Sequence, residues 1–461
     1  MTFVKKYSII IYLFLLFGIF FSGCKKTELF SKSNITFSID TLVFDTVFTT
    51  IGSTSKNFKI YNPDSKIIEL EEVELMGGKN SPFRINVDGI AGTKFLNNKI
   101  EGKDSMFVFV DVKLNVMGKN LPVVIEDSIR IKTNGKNQYM NLMVWGQDAY
   151  FHYKEILKED VWKSDKPHVI INYAAVDSAK SLIIEAGSKI HLHKNSMLYI
   201  YKSKIEIKGT KENPVIFQGD RLESFYKNVS GQYYGIYLHE ALSSEINYTQ
   251  IKNATAGIHI YSSDNKISKP TLKITNSIIQ NNSSYGLFLF SNPWVEMENC
   301  IITKNGTYGV FILQGAKLTT THCNILGYGS SDNNSGAFAI KNNYTNPNDK
   351  ITYVSPIDLT INNSIIYGFK DDELLFDTIS GKSPIKFSFS NNLIKIKNIS
   401  YKTNFKNTIW NNNPLFKDVT KDDYHPLPGS PLFLNGNSQF TIPYDLDSKT
   451  RGNPPTIGAY E

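Results

Sequence analysis

Cysteine is scarce. The chain has three, too few for a dense disulfide scaffold or a zinc cluster. Charge of one sign is also missing: fifty Lys+Arg against forty-three Asp+Glu leave only +7. That net falls by two if Lys5 and Lys6 are lost with an N-terminal segment. Spread over 461 residues, so small an excess gives no argument for nucleic acid, and no nucleic-acid partner is expected. With 41% hydrophobic and 20% charged residues, the chain is neither disordered, nor a coiled coil, nor a polytopic membrane protein. Its length admits two or three domains, or one domain plus a repeat array.

What is present begins at the N-terminus. Lys5 and Lys6 form a positive region, Ile9 to Phe21 is an almost unbroken apolar stretch, and Ser22-Gly23-Cys24 follows. The length and flanks predict a secretory signal over 1–23. The small residues before Cys24 resemble the bacterial lipobox, which implies that the Cys24 thiol is diacylated and becomes the new N-terminus, partnering a lipid bilayer. The competing reading is an uncleaved anchor with an incidental cysteine. Lys25 follows directly, with no Asp to suggest inner-membrane retention, so an outer-membrane location is expected, facing the periplasm or the surface. A tether over 24–34 comes next.

Over 35–150, short runs alternate apolar and polar residues, as in Phe58-Lys59-Ile60, Ile68-Glu69-Leu70 and Val108 to Leu114. Turn signals at Asn62-Pro63-Asp64, Gly77-Gly78, Asp88-Gly89 and Asn134-Gly135 separate them. This period-two pattern predicts an antiparallel β-sandwich of about seven strands. Phe58 to Val87 resembles the immunoglobulin-like modules of bacterial envelope proteins. With no titratable cluster, it reads as a spacer or docking module. A connector over 151–180 is expected to follow.

From 181 to 412 the chain repeats itself. Asn276-Ser277-Ile278-Ile279 recurs as Asn299-Cys300-Ile301-Ile302 and as His322-Cys323-Asn324-Ile325, each time 23 residues on. Asn363 and Asn391 continue the series. A second run recurs as Gly235-Ile236-Tyr237-Leu238, Gly257-Ile258-His259-Ile260, Gly286-Leu287-Phe288-Leu289, Gly309-Val310-Phe311-Ile312 and Gly336-Ala337-Phe338-Ala339. Each run is too short for a helix and cannot bury its apolar face alone. Stacked coils would enclose a continuous apolar column. Leu182 to Ile190, Ile205 to Thr210 and Asn213 to Phe217 resemble the opening coils of right-handed parallel β-helix proteins of pectate-lyase-like fold. Ile258, Leu287 and Val310 should form one inward file, and Ile260, Leu289 and Ile312 another. Asn276, Asn299, Asn363 and Asn391 should form a structural ladder at a turn, since Asn tolerates left-handed backbone and its amides can bond along the column. Cys300 and Cys323 share a file, where a disulfide is conceivable in an oxidising envelope, but side chains stacked along parallel strands point the same way, which favours two thiols.

The last stretch, 413–461, contains Asn413-Pro414-Leu415-Phe416, Pro428-Gly429-Ser430-Pro431, Arg451-Gly452 and Ile457-Gly458-Ala459-Tyr460-Glu461. It is similar to the terminal segment of bacterial β-helix proteins of the choice-of-anchor Q type. It is expected to cap the array, with Arg451 paired to Asp445 and Asp447. The expected fold class is thus all-β: a sandwich, a right-handed parallel β-helix and a C-terminal cap.

Chemistry is poorly signalled. Between Gly257 and Asp349 the acids are Asp264, Glu296, Glu298, Asp332 and Asp349, and the stacked neighbours of Glu296 and Glu298 are Lys273/Thr275 and Thr319/Thr321. Those positions supply no second acid for a hydrolase. His191 and His193 read as a solvated pair without a third ligand. No catalytic residue, metal or cofactor is expected. Asp220, Arg221 and Glu223 are a weak charged candidate, read first as a local salt-bridged turn. The candidate ligand-binding residues are aromatic: Tyr237, His259, Phe288, Phe311 and Phe338 in one outward file, with Tyr285 and Tyr308, preceded by Tyr234, in a second. Rings offer flat apolar area to sugar faces or to a protein; the competing reading is that they stack only to stabilise the ladder beneath covering loops or pack against the sandwich. The expected role is non-catalytic binding or scaffolding for a polysaccharide or another envelope component. A polysaccharide lyase or glycoside hydrolase with an atypical site is the alternative.

Overall fold

The computed structural model describes residues 30–118, 122–263, 268–329, 336–397 and 402–461. The signal segment 1–23, Cys24, Asp264 and Asp332 therefore lie outside the described residues. The chain divides into two compact units with the break at Gly146/Gln147, and Met117–Pro122 groups with the second.

In the first unit, ten strands form two antiparallel five-stranded sheets, where the sequence pattern suggested about seven strands. Alternation decides which side each residue takes: on Ser105–Val112, Met106, Val108, Val110 and Val112 are buried while Phe107 and Phe109 face outward. Phe58, Ile60, Val108 and Val110 of one sheet share a core with Leu70, Val73, Ile129, Ile131 and Val144 of the other.

The second unit is a parallel β-helix. Each full coil contributes three strands, illustrated by Leu272–Thr275, Ile278–Gln280 and Tyr285–Phe290. Strands of the first kind stack into one ten-stranded sheet, and the other two kinds join into an eighteen-stranded sheet. The interior follows from period two. Ile236, Ile258, Leu287 and Val310 stand in register, as do Leu238, Ile260, Leu289 and Ile312, and all are fully buried. Each such side chain contributes roughly 1.5–3 kcal/mol of burial, so the column is the main source of the array's stability. The repeated glycine before each inward file has a steric cause. A Cβ on Gly257 or Gly286 would meet the carbonyl oxygen of the next coil's glycine at 2.7 Å.

Two boundaries differ from the sequence reading. The stretch 151–180 is already part of the array: Tyr150–Leu157 pairs in parallel with His168–Val176, and Leu157, Trp162, Ile170 and Val176 join the apolar column. It lacks the glycine and asparagine signals of later coils, which is why it read as a connector. The segment 413–461 is not an end cap. Tyr424, Leu432, Leu446, Ile457 and Tyr460 pack sideways on Ile301, Leu326, Ile365 and Leu393, along the flank of the stack. The terminal coil instead closes on its own rings: Phe405 lies 4.3 Å from Phe389 and 5.1 Å from Trp410, centroid to centroid.

Candidate functional site

The third strand of successive coils carries the aromatic residues. Pairing places Tyr199, Tyr237, His259, Phe288 and Phe311 in one outward column. Centroid separations are 5.3 Å for Tyr199–Tyr237, 4.3 Å for Tyr237–His259, 4.6 Å for His259–Phe288 and 5.4 Å for Phe288–Phe311. Such separations favour ring stacking, so the column supports itself. Tyr199 belongs to it although sequence reasoning did not include it.

Phe338 does not. Its partner in register is Val310, it is fully buried in the apolar column, and Ala339 takes the position next to Phe311. The insertion before this coil shifts the match by one residue. Turning Phe338 outward would leave Ala337 and Ala339 to fill a slot that Phe338 and Ile340 fill better. Two large apolar residues two apart were the available signal.

A second outward column, two residues further along each strand, was missed altogether. Tyr201, His239, Tyr261 and Phe290 stack in register. Tyr344, on the hairpin strand Asn343–Thr345, sets its ring edge-on to Phe290 at 5.2 Å. On the other side, Tyr285 and Tyr308 stack at 6.4 Å and lean on Phe288 and Phe311 at 5.0 and 5.2 Å. Tyr234 is separated from Tyr285 in its file by Ala256, whose backbone pairs with Tyr285.

His259 is the one buried member of its column, sealed between Tyr237 and Phe288; its Nδ1 lies 2.7 Å from the Tyr234 hydroxyl and its Nε2 has no partner. Burial, with the nearby His239, holds its pKa down at about 4, so the imidazole is uncharged near neutrality. Burial pushes the Tyr237 phenol up to about 12. Tyr199 meets His239 Nδ1 at 2.6 Å through its hydroxyl. Chemically, the face offers rings and hydroxyls, with Lys202 Nζ 5.3 Å over the Tyr201 ring at one end.

The turn between the first and second strands carries the asparagines. Asn276, Asn299, Asn363 and Asn391 have φ of 50°, 51°, 47° and 54°. Asn276 Nδ2 donates to Asn247 Oδ1 at 3.0 Å and Asn299 Nδ2 to Asn276 Oδ1 at 3.1 Å. His322 interrupts the ladder and accepts from Asn363 Nδ2 at 3.1 Å. The C-terminal segment reads this column from outside. Asn391 and Asn363 donate to the Asn435 and Asn437 carbonyls, and Asn299 donates to that of Tyr444. Arg451, buried, donates to Asn299 Oδ1 at 2.8 Å and to the Gly458 and Ala459 carbonyls. Its ionic partner is Glu461 at 3.6 Å. Asp445 accepts from the Lys449 and Glu461 amides and Asp447 meets His425, which replaces the expected Arg451–Asp445/Asp447 pairing.

The remaining candidates are structural. Arg221 makes a forked contact with Glu223 and lies 3.9 Å over the Tyr226 ring, while Asp220 meets His193 at 2.6 Å, which together make a local charged turn. His191 is not solvated as expected: it is buried with Nδ1 3.2 Å from the Gly219 carbonyl oxygen, and burial lowers its pKa to about 4. Cys300 and Cys323 are free thiols, both buried. Among the described residues, no three His, Cys, Asp or Glu side chains gather as a metal site. No described helix is long and apolar enough to cross a membrane.

A family model described as right handed beta helix region matches residues 170–325, the stretch that holds the central coils. No curated protein sequence matches the chain. Among solved structures, the chain is similar to one from Clostridium perfringens whose title concerns "glycolipid glycan hydrolysis" and "a family 123 glycoside hydrolase". Identity is 9%, the match covers 25% of this chain and 26% of that one, and the TM-score is 0.18. A likeness that slight bears on neither fold nor chemistry.

Proposed function

We propose that this protein is a non-catalytic binding or scaffold protein of the outer membrane, anchored by an acylated Cys24, whose β-helix holds an envelope glycan against its aromatic face. The observation that carries the reading is the set of adjoining ring columns on one sheet, kept on the surface by strand alternation. Stacked neutral rings with hydroxyls at their edges suit the apolar faces of sugars. The first unit serves as an immunoglobulin-like spacer between lipid and array, and 413–461 is a choice-of-anchor Q-type segment that straps the flank of the stack. A polysaccharide lyase or glycoside hydrolase is the alternative reading, and Lys202 over Tyr201 with Glu240 near Tyr237 are the charged groups beside the rings that it would have to use.

A glycan array probed with the protein, run beside a lyase assay read as unsaturated-uronate absorbance, tests this. Binding without product is expected, and Phe288→Ala with Phe311→Ala should abolish it. Intact binding in that double variant would refute the platform, and product formation would move the protein to the enzymes. Release from membranes by Cys24→Ala tests the anchor.

A further inference from the structure

The second strands carry a polar column of their own, separated from the rings by the turn that joins second to third strands. Register sets His191 beside Gln218, and Lys252 beside Gln280. Gln218 and Lys252 each follow a member of the pair Phe217 and Ile251, which places them next to one another on adjacent coils. Phe217, Ile251 and Ile279 are fully buried, so alternation turns Gln218, Lys252 and Gln280 outward. All three are half-buried and, among the described residues, none of their side chains has a hydrogen-bond or ionic partner.

A second lysine is fixed beside this column. Residues 220–232 leave the second strand as a loop, and three side-chain bonds pin it. Gln232 Nε2 donates to the Tyr226 and Val229 carbonyls at 2.7 and 2.8 Å, and Asn253 Nδ2, next in sequence to Lys252, donates to that of Lys227 at 3.2 Å. Burial, and then the neighbouring Lys227, hold the Lys252 pKa below the ordinary lysine value, and no carboxylate offsets them. The nearby acids are spent elsewhere: Asp220 on His193, Glu223 on Arg221, and Asp422 of the C-terminal segment on Lys304. Lys189, exposed in the adjoining column beside Ile216, adds a further cation. His191, between Lys189 and Lys252, is neutral near pH 7 because burial holds its pKa at about 4. The charge left over is therefore positive. Half-burying an ammonium without a counter-ion costs free energy, and a second cation beside it adds to the cost; an arriving anion relieves both. The free amides of Gln218 and Gln280 place donors on either side of Lys252.

We infer that Lys252 and Lys227 form a binding site for an oxyanion, a carboxylate or phosphate carried on a sugar, with Gln218 and Gln280 donating to it or to its neighbouring hydroxyls. The site shares no residue with the aromatic platform, and either can fail alone. The full chain is titrated with glucose 1-phosphate, glucuronate and glucose at equal ionic strength, followed by ligand-detected NMR. Both anions should bind, the doubly charged phosphate more tightly, and glucose should not. Tighter binding of glucuronate would keep the site and make uronates its source. Lys252→Gln should weaken the better anion about tenfold and Lys227→Gln about threefold. Glutamine already occupies the Lys252 position one coil before and one coil after, so the first variant keeps the fold. Phe288→Ala with Phe311→Ala should leave anion binding unchanged. Failure of both anions to bind, equal binding of glucose, or parental affinity in both glutamine variants would each overturn the site.

Discussion

The ring face and the asparagine turn are both columns of repeated side chains on the outside of one solenoid, yet they meet their needs differently. The rings satisfy each other, coil to coil, through contacts of 4.3–5.4 Å along the central column. The turn amides are satisfied in part by a segment about 44 to 145 residues further along the chain, through the carbonyls of Asn435, Asn437 and Tyr444. A column that stabilises itself leaves a surface free for something else. A column whose polar groups are paired with a strap is already occupied. Repetition alone therefore does not mark a binding face; what matters is whether the fold uses up its contacts.

The sharpest way to break this contrast is Arg451→Ala. It removes a buried guanidinium that joins Asn299 to the strap and leaves Asn299 Oδ1 and the Gly458 and Ala459 carbonyls without that donor, so a loss of about 3–5 kcal/mol is expected in denaturant unfolding. A loss under about 1 kcal/mol would mean that the strap is not what secures the turn face.

Acid provides the next test. His322 Nδ1 donates to the Gly458 carbonyl and Nε2 accepts from Asn363, so the site requires a neutral ring; burial and the nearby Arg451 hold its pKa down at about 3. A folded value below the ordinary 6.5 means that the unfolded chain takes up the proton first. The stability this group provides is complete above pH 6.5 and is lost as pH falls toward 3, at about 1.4 kcal/mol per pH unit. His322→Gln should flatten that slope by this amount in unfolding measured across the range. An unchanged slope would show that the ring is not held neutral.

Smaller effects follow at single positions. Asn276→Gly keeps the left-handed backbone but removes one amide of the ladder, with an expected cost of about 1 kcal/mol. Asn276→Ala should cost about 1–2 kcal/mol more, because φ of 50° disfavours a Cβ. Equal melting points for the two would separate the ladder from backbone conformation. Phe288→Ala with Phe311→Ala should remove glycan capture while leaving a cooperative unfolding transition, because both rings stand outside the apolar column and are only half-buried.

How much of this could be read from the sequence differs between parts of the molecule. Spacings of 23 residues in Asn276, Asn299 and His322 are local and periodic, so the turn column and the inward files could be read directly. Alternation placed Tyr237, Phe288 and Phe311, but one inserted loop displaced Phe338, because the glycine of that coil is not in the register its neighbours suggest. The second ring column was equally present in the period-two pattern at Tyr201, Tyr261 and Phe290. It went unread because His239 and Leu313 interrupt its aromatic character. The placement of the strap was harder to read: its apolar residues Tyr424, Leu432, Leu446 and Ile457 follow no period, and the carbonyls that meet the asparagines could come from any residue.

That placement bears on how the protein matures. Tyr248 meets Ser448, Asn299 meets Tyr444 and Arg451, and Thr303 meets Tyr424, pairs between 121 and 200 residues apart. Coils can assemble progressively from neighbouring sequence, but their flank stays open until residues 424–451 are made and fold back. A product cut short before Arg451 would consist of well-formed rungs with an unlatched side, open to proteases until the clasp closes.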